Sequence, residues 1–585
     1  MKELPLEIRA LLAFGLSILV LVLWGVFFRQ AAPPRTPQQP VPAATPVPVP
    51  ATPVPQAPAV SPAAKAEAVE AKEERTYVVE NDLYRVELSN RGAVARRWEL
   101  KRYRDDSKPT PKVLDLVHPE AAQQFGWPLA IVLEDEAREK QANSALFEVA
   151  VAGPSTSVGA RTNLVAPGEL SFRWSDGRLT VTKRVRFDSG YVVEVESTAA
   201  LDGQMLPHGL AWRGGFGDAT VYRGAEQVKV FYRTSDKLHS LEVRNVGLPD
   251  HPEQRRRESG VLFGGITDRY FAAAFLPPAD TAGPGLAVWH WRGERQFQRD
   301  NETVKEPVVE MAAGTTTPAA LATRLYVGPK ELETLGRLRP PLNELVDFGW
   351  FGFIAAPLFY FLKWLHKYVA NYGWAIVLMT VMINMALFPL KVQSFRAMKK
   401  LQRIMPEMKQ IREKYKKYPL RDPRKQQENK ELMALYQREG VNPLTMGGCL
   451  PMLLQMPIWI ALYQMLNGAI ELRHAQWLGW IRDLSAPDPY YILPVTMAAT
   501  MYIMQKTTPT TATDPIQQRM ISLMPLMFGA MFVIFPVSSG LVLYILTSNL
   551  VGMGQQWFLN RTAAKEEGRP RGKKKKVAAG PGKGA

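Results

Sequence analysis

The chain has 585 residues, a formal net charge of +17 and a single cysteine, Cys449. One thiol excludes an internal disulfide and a multi-cysteine metal site, and its apolar surroundings mark it as packing. Charged residues make up 22 % of the sequence and hydrophobic ones 46 %, which excludes a protein that is membrane throughout. The apolar residues concentrate near the N-terminus and after about residue 350.

Lys2 and Arg9 precede Ala10 to Phe28, about nineteen nearly uninterrupted apolar residues. That length spans a bilayer as a helix and exceeds the apolar core of most cleaved signal peptides. Residues 1–30 are therefore predicted to be an uncleaved transmembrane anchor. A linker follows over 31–75. About twelve prolines between residues 33 and 62 favour a stiff, extended spacer, because proline fixes its own backbone angle and lacks the amide donor.

Residues 76–335 read as β. Tyr77 to Val79, Leu83 to Leu88, Leu170 to Trp174, Leu179 to Phe187 and Tyr191 to Val195 fit strands, and Ser175-Asp176-Gly177 and Asp188-Ser189-Gly190 mark turns. Many short strands over this length predict a large β-sandwich with a core that needs no disulfide. Pro340-Pro341 closes the domain. Over 345–370, Trp350, Phe351, Phe353, Phe359, Phe361 and Trp364 accompany Lys363, His366 and Lys367. Aromatic rings with cations at one edge predict a helix lying in the membrane interface.

The segment 371–560 holds five apolar stretches, Trp374–Leu390, Leu450–Leu466, Tyr491–Met504, Ile521–Phe535 and Leu541–Met553. With the anchor they make six predicted spans. Residues 391–443 carry about fifteen Lys/Arg against six acids, and the tail 561–585 is also basic. The positive-inside rule puts both blocks and both termini in the cytoplasm and the β-domain outside. A stretch of about fifteen residues gives roughly 23 Å as a helix, short of a hydrocarbon core of about 30 Å. Either polar caps extend the helices, or the bilayer thins around them.

Between the first two of these stretches, residues 391–440 are predicted to form a cytosolic helical hairpin. Met398, Leu401, Ile404, Met408 and Ile411 recur at helical steps, Pro419 and Pro423 break the run, and Leu432, Leu435 and Tyr436 share a face of the second arm. Inside the apolar stretches stand Thr380, Asn384, Gln455, Tyr463, Gln464, Thr496, Thr500, Tyr544, Thr547, Ser548 and Asn549. Polar groups in hydrocarbon need partners or water. Singly they fit helix–helix hydrogen bonding; as a set they fit a wetted groove. From residue 374 onward no apolar stretch holds a carboxylate, and no phosphate-binding Gly-rich loop, metal-ligand cluster or nucleophile motif occurs. His118, His208, His239, His251 and His290 are scattered through the β-region. No cofactor, metal or enzymatic activity is expected.

The order of several motifs resembles the YidC/Oxa/Alb insertase family in its Gram-negative form. They are Val441-Asn442-Pro443-Leu444, Gly447-Gly448-Cys449-Leu450-Pro451, Gln455-Met456-Pro457-Ile458, Ala461-Leu462-Tyr463, Asp483-Leu484-Ser485, Asp488-Pro489-Tyr490-Tyr491-Ile492-Leu493-Pro494, Asp514-Pro515, Gln517-Gln518, Ser539 to Tyr544 and Ser548-Asn549-Leu550. The resemblance implies a β-domain similar to a sugar-mutarotase supersandwich without catalysis. It also implies a monomer that receives nascent membrane proteins, alone or beside the Sec translocon, in a hydrophilic groove open to cytosol and lipid. Thr380, Asn384, Gln455, Tyr463, Thr500, Tyr544 and Asn549 would line that groove. Lys399, Lys400 and Arg403 on the hairpin and Lys573, Lys574, Lys575 and Lys576 in the tail would meet the ribosome and the signal recognition machinery, the tail through ribosomal RNA phosphates.

The sequence departs from the family at one position. The family that this sequence resembles usually has a groove arginine four residues after the threonine corresponding to Thr380; here the residue is Asn384, which offers hydrogen bonds and no charge. Lys391, seven residues on, lies near the same helical face about 10 Å closer to the cytosol. Its stem could reach back and supply the charge if Pro389 leaves the alignment intact. Two rival readings are a transporter or channel, for which no internal repeat is visible, and an anchored periplasmic sugar enzyme, which leaves the five later stretches unexplained.

Overall fold

The computed structural model describes residues 67–567 except 108–109, 222–223, 280–284, 300–301, 419–421, 440–449, 508–514 and 536. The predicted anchor, most of the proline-rich linker, the 441–449 motif with Cys449 and the tail lysines 573–576 lie outside the described residues.

Alternating apolar residues build three sheets. Leu179–Phe187 buries Leu179, Val181, Lys183, Val185 and Phe187 and turns the residues between them outward, the period of two that a half-buried strand requires. It pairs with Gly168–Ser175 on one side and Val192–Leu201 on the other. The ten-stranded sheet starts at the edge strand Leu238–Glu242. It continues through Lys229–Arg233, Phe263–Thr267, Phe271–Leu276, Leu321–Pro329 and these three strands to Glu148–Ala152, with Gln204–Met205 attached to Val192–Leu201. A six-stranded sheet and a five-stranded sheet close over it. One core joins them, with Trp98, Trp212, Phe147 and Phe172 buried, and with Trp98 and Trp212 ring centroids 5.9 Å apart. The β-sandwich expectation holds.

The rest is helical. We number its helices α1 (Gly352–Val369), α2 (Tyr372–Ala386), α3 (Phe388–Tyr415), α4 (Pro423–Arg438), α5 (Leu450–Gly468), α6 (Ile492–Thr507), α7 (Pro515–Ile534) and α8 (Ser539–Glu567). In α1, Ala355, Phe359, Leu362 and Leu365 are buried at helical spacing, while Phe353, Tyr360, Trp364 and Tyr368 are exposed. The helix ends at Ala370, which adopts a left-handed conformation (φ 53°). Asn371 then caps α2 by accepting from the Trp374 amide, and the chain turns by 120° between the two helices. Among the described residues no single helix is long and apolar enough to cross a membrane; α1 and α2 pass that test only together, as a bent pair.

Helices α3 and α4 form the predicted hairpin. Leu401, Ile404 and Met408 pack on Leu432, Leu435 and Tyr436 as a separate small core. Lys400 and Arg403 are exposed and Lys399 half-buried. At the other end of the bundle the loop 468–489 folds against the β-domain, and its Ile470 joins the β-domain's core.

Candidate functional site

Helix α8 organises the polar residues of the bundle. It packs on α2, α5 and α6. Its own polar side chains face each neighbour in turn.

Against α5, Gln455 Nε2 donates to the Tyr544 hydroxyl at 3.0 Å. Against α6, Asn549 Nδ2 donates to Thr500 Oγ1 at 3.3 Å. Against α2, Asn384 Nδ2 donates to Ser548 Oγ at 3.3 Å and to the Thr380 carbonyl at 2.9 Å. Further along α8, Gln555 Nε2 donates to the Asn384 carbonyl at 3.0 Å. Thr380, Asn384, Thr500, Tyr544, Asn549 and Gln555 are all buried. The spacing 544, 548, 555 keeps three of these groups on one face of α8.

Lys391 completes the cluster. Leu387 both ends α2 and precedes α3, and the Lys391 amide donates to the Leu387 carbonyl. Pro389 occupies the first turn of α3, where a missing amide costs nothing. The helical path therefore carries on, and Lys391 Nζ lies 2.7 Å from Asn384 Oδ1 and 3.0 Å from Gln555 Oε1. The cluster is thus one cation held by two neutral amide oxygens.

The seven groove candidates do not form one patch. Thr380 and Asn384 are joined directly. Thr500 with Asn549 and Gln455 with Tyr544 are separate pairs linked only through α8. Tyr463 stands apart: it is 41 % exposed, stacks on Trp459 and borders a cavity beside the β-domain. Gln555, which the sequence reading missed, lies just past the last apolar stretch. Its only local signal is its place seven residues after Ser548.

A second polar centre joins the β-domain to the bundle. Arg473, in the loop after α5, is 3 % exposed and pairs with the equally buried Asp218 and with Asp106. It also donates to the Arg104 carbonyl and lies over the Tyr270 and Phe271 rings. Burial works against the guanidinium, but the Asp106 and Asp218 carboxylates outweigh it and hold its pKa above the ordinary value. Arg269 donates to Asn467 at the end of α5, and Lys363 of α1 bridges Glu333 and Glu471.

Among the described residues one group, Asp106, His474 and Asp483, has donor atoms close enough to share a metal ion. Its oxygens are already engaged, since Asp106 Oδ1 takes His474 Nε2 at 3.0 Å and Arg473 at 3.3 Å. The histidines of the β-domain are dispersed. His208 bonds Ser197 and the Leu206 carbonyl, and His290 accepts from the Gly247 amide. Burial pushes both rings' pKa down, that of His290 to about 4, so they stay neutral structural partners.

Comparison with known proteins covers the described chain almost end to end. Residues 76–361 match the YidC periplasmic domain and residues 364–567 match the 60Kd inner membrane protein family. The membrane protein insertase YidC of Syntrophobacter fumaroxidans is 35 % identical over 592 residues, covering 95 % of this chain and all of the relative. That of Geobacter metallireducens is 34 % identical over 572 residues, covering 96 % and 100 %. Among solved structures, an active YidC insertase crystal structure with the first transmembrane domain resolved gives a TM-score of 0.35 at 17 % identity, over 84 % of this chain and 94 % of that one. YidC from Thermotoga maritima gives 0.26 at 14 %, over 82 % and 99 %. The assignment accordingly stands on sequence: the chain belongs to the YidC family of membrane protein insertases, inner-membrane proteins with a periplasmic domain.

Proposed function

We propose that this chain inserts and helps fold membrane proteins by differential solvation, making and breaking no covalent bond. The observation that carries the reading is the polar seam along α8, which ends at Lys391 beside the hairpin. Helices α2, α5, α6, α7 and α8, none of them long and apolar enough by itself to cross a bilayer of ordinary thickness, serve as the five spans of the core where the bilayer thins around them, and the N-terminal stretch is the sixth. Both termini and the hairpin then lie in the cytoplasm, and α1 lies along the outer interface.

A passenger's polar flank entering between the helices exchanges hydrogen bonds with Thr380, Asn384, Ser548 and Gln555, while its apolar segment stays in lipid. The cost of bringing polar groups into hydrocarbon falls accordingly. The separate pairs Gln455–Tyr544 and Thr500–Asn549 flank this path on α8 and serve it as further polar partners, and Tyr463, apart from them at the far end of α5, would meet the segment as it leaves.

Lys391 takes the place of the family's groove arginine. Its ammonium reaches Asn384 from below and supplies the positive charge that asparagine lacks. Lys399, Lys400 and Arg403 and the tail lysines 573–576 engage the ribosome and the signal recognition machinery. The chain acts as a monomer, alone or beside the Sec translocon.

Reconstitution in liposomes with a small two-span passenger tests the reading. Wild type inserts the passenger, and leucine at both Thr380 and Asn384 blocks it. Lys391→Gln lowers insertion of a passenger with acidic flanks several-fold more than that of a neutral one. Equal losses for both passengers remove Lys391 from the mechanism. Solute flux through the empty protein would favour a channel.

A further inference from the structure

The outer face of the five-stranded sheet carries a cavity of about 1020 Å3 that the insertion path does not use. Side chains alternate along its strands. Leu210, Val288 and Met311 turn into the main core of the β-domain, and Ala211, Ala312, Trp289 and Trp291 turn outward as a small cluster of their own. In that cluster Ala211, Ala312 and Trp291 are buried and Trp289 is half-buried. The short helix Glu136–Ser144, the segment 253–257 and the residues around Phe125 wall the cavity.

Trp289 forms the floor. A methyl group at Gly209 would come within 3.1 Å of its six-membered ring. Yet Gly209–Trp212 and Leu286–Arg299 are separated by the strand Glu302–Gly314, and neighbouring strands lie about 4.8 Å apart. The indole therefore reaches across the intervening strand, over small residues, with one ring face on the sheet and the other toward the cavity. The polar wall is a buried ion network. Glu139 Oε1 receives Arg213 at 3.2 Å and Arg255 at 2.5 Å, Arg213 also donates to Glu310 at 2.9 Å, and Arg255 to the Leu133 carbonyl at 3.1 Å. Such a network adds little net stability; its effect is to fix two guanidinium groups at the cavity. A guanidinium has five N–H donors, and only two of each are engaged within the described residues. The Arg213 and Arg255 side chains stay 19 % and 24 % exposed, so their remaining donors are within reach of a ligand.

These features select one class of ligand. Four carboxylates and four Lys/Arg line the cavity, so neither an anion nor a cation is favoured. Its floor is a sheet face rather than a strand edge, so it offers no backbone ladder to an extended polypeptide. The walls are too polar for an acyl chain. What fits is a neutral molecule with an apolar face for the indole and a rim of hydroxyls that donate and accept at once. A sugar ring has that build. The exposed carboxamides of Gln123 and Gln254 add donors and acceptors at the rim. The volume stands at the top of the roughly 300–1,000 Å3 of small-molecule sites, which suits several linked rings better than one.

We propose that this cavity binds a neutral oligosaccharide, with one ring lying on Trp289 and its hydroxyls bonded by Arg213, Arg255 and the rim carboxamides. The site binds without turnover, since Glu139 and Glu310 are both held by arginines. The inference stands apart from the insertase reading and gives the β-domain a binding role of its own.

The test uses the full chain, labelled with fluorotryptophan, in a detergent without sugar headgroups. The probes are the N-acetylglucosamine tetramer of chitin and the glucose tetramers of starch and cellulose. Tetragalacturonate serves as the acidic control and tetra-alanine as the peptide control. Trp289→Phe removes one fluorine resonance and so assigns it. In the wild type that resonance is expected to shift saturably with at least one neutral tetramer, with a Kd below about 10 mM. The resonance of Trp350, 89 % exposed just ahead of α1, should stay in place. By calorimetry, Trp289→Ala should weaken binding about tenfold, and Trp289→Phe, which keeps an aromatic face, less than about threefold. The fluorine measurement is made on the wild-type fold and decides the matter even if Trp289→Ala fails to fold. No shift of the Trp289 resonance with any neutral tetramer overturns the proposal. So does undiminished binding by a folded Trp289→Ala, or a stronger response to tetragalacturonate or the peptide than to every neutral sugar.

Discussion

Asn384 shows what one side chain can hold together. A carboxamide donates and accepts at once, so its Nδ2 ties Thr380 and Ser548 while its Oδ1 receives Lys391. Arginine at this position offers donors only and places a second cation beside Lys391 Nζ, a repulsion of about 4 kcal/mol at 4 Å in an environment of effective dielectric 20. Asn384→Arg alone should therefore lower the thermal midpoint of the detergent-solubilised protein. Asn384→Arg with Lys391→Gln should recover most of the loss, with a coupling of about 1–3 kcal/mol in the double-mutant cycle. Additive effects would show that the two residues are independent. Lys183 is a different buried cation, fully enclosed in the β-domain core. Its three protons go to the carbonyls of Gly92, Ala93 and Leu129, and among the described residues no carboxylate pairs with it. Burial pushes its pKa from 10.5 down to about 7. Between these two values the unfolded chain binds the extra proton and the folded one does not, so stability rises with pH across that window. Melting of the β-domain followed from pH 7 to 10 should show the rise, and Lys183→Met should flatten it.

At the scale of the element, the hairpin α3–α4 depends on very little. Its apolar contact surface is one stripe, Leu401, Ile404 and Met408 against Leu432, Leu435 and Tyr436, flanked by the Lys414–Glu431 and Arg438–Glu407 ion pairs. Truncating a buried leucine costs about 2–5 kcal/mol, a large part of what so small a core can supply. Leu435→Ala should release α4, and limited trypsin should cut at Arg424 and Lys425 several-fold faster while the rest of the chain stays resistant. An unchanged cleavage rate would mean that other contacts hold the hairpin. That stripe was readable from sequence, because helical spacing places Leu401, Ile404 and Met408 on one side whatever they later touch. Leu179–Phe187 was readable to the residue for the matching reason in a strand. The i, i+4 step likewise joined Thr380 to Asn384. Partners across helices were not readable: Gln455 meets Tyr544 over 89 residues and Asn384 meets Gln555 over 171, and no local periodicity encodes such a meeting. The reading also stopped the last apolar stretch at Met553, since Gln555 and Gln556 end the apolar run. The helix itself continues to Glu567, carried by backbone hydrogen bonds that are indifferent to polarity. Tyr463 entered the groove set as a polar residue inside an apolar stretch and as part of the Ala461-Leu462-Tyr463 motif, and its place at the far end of α5 depends on the packing of the whole bundle.

At the scale of the molecule, what matters is whether the β-domain and the bundle behave as one body. Their joint is not a flat apolar face. Ile470 inserts into the β-domain core, and beside it Arg473 is held by Asp218, Asp106 and the Arg104 carbonyl. A buried ion pair contributes little net stability when complete, since desolvation offsets the attraction. Removing one partner, however, leaves the other buried with its charge uncompensated. Arg473→Met would leave Asp218 as a buried carboxylate supported only by the Thr220 amide and hydroxyl, at about 3–5 kcal/mol. The domain can escape that cost by swinging away and hydrating Asp218. Arg473→Met is therefore expected to split thermal unfolding into two transitions and to make the connecting segment 336–350 sensitive to protease. Arg473→Met with Asp218→Asn removes both charges, leaves a neutral amide that Thr220 can still satisfy, and should return the protein toward a single transition. If the double variant undocks as fully as the single one, the cation matters as an anchor in its own right. If neither undocks, Ile470 and the Arg269–Asn467 and Lys363–Glu333 contacts hold the joint without it.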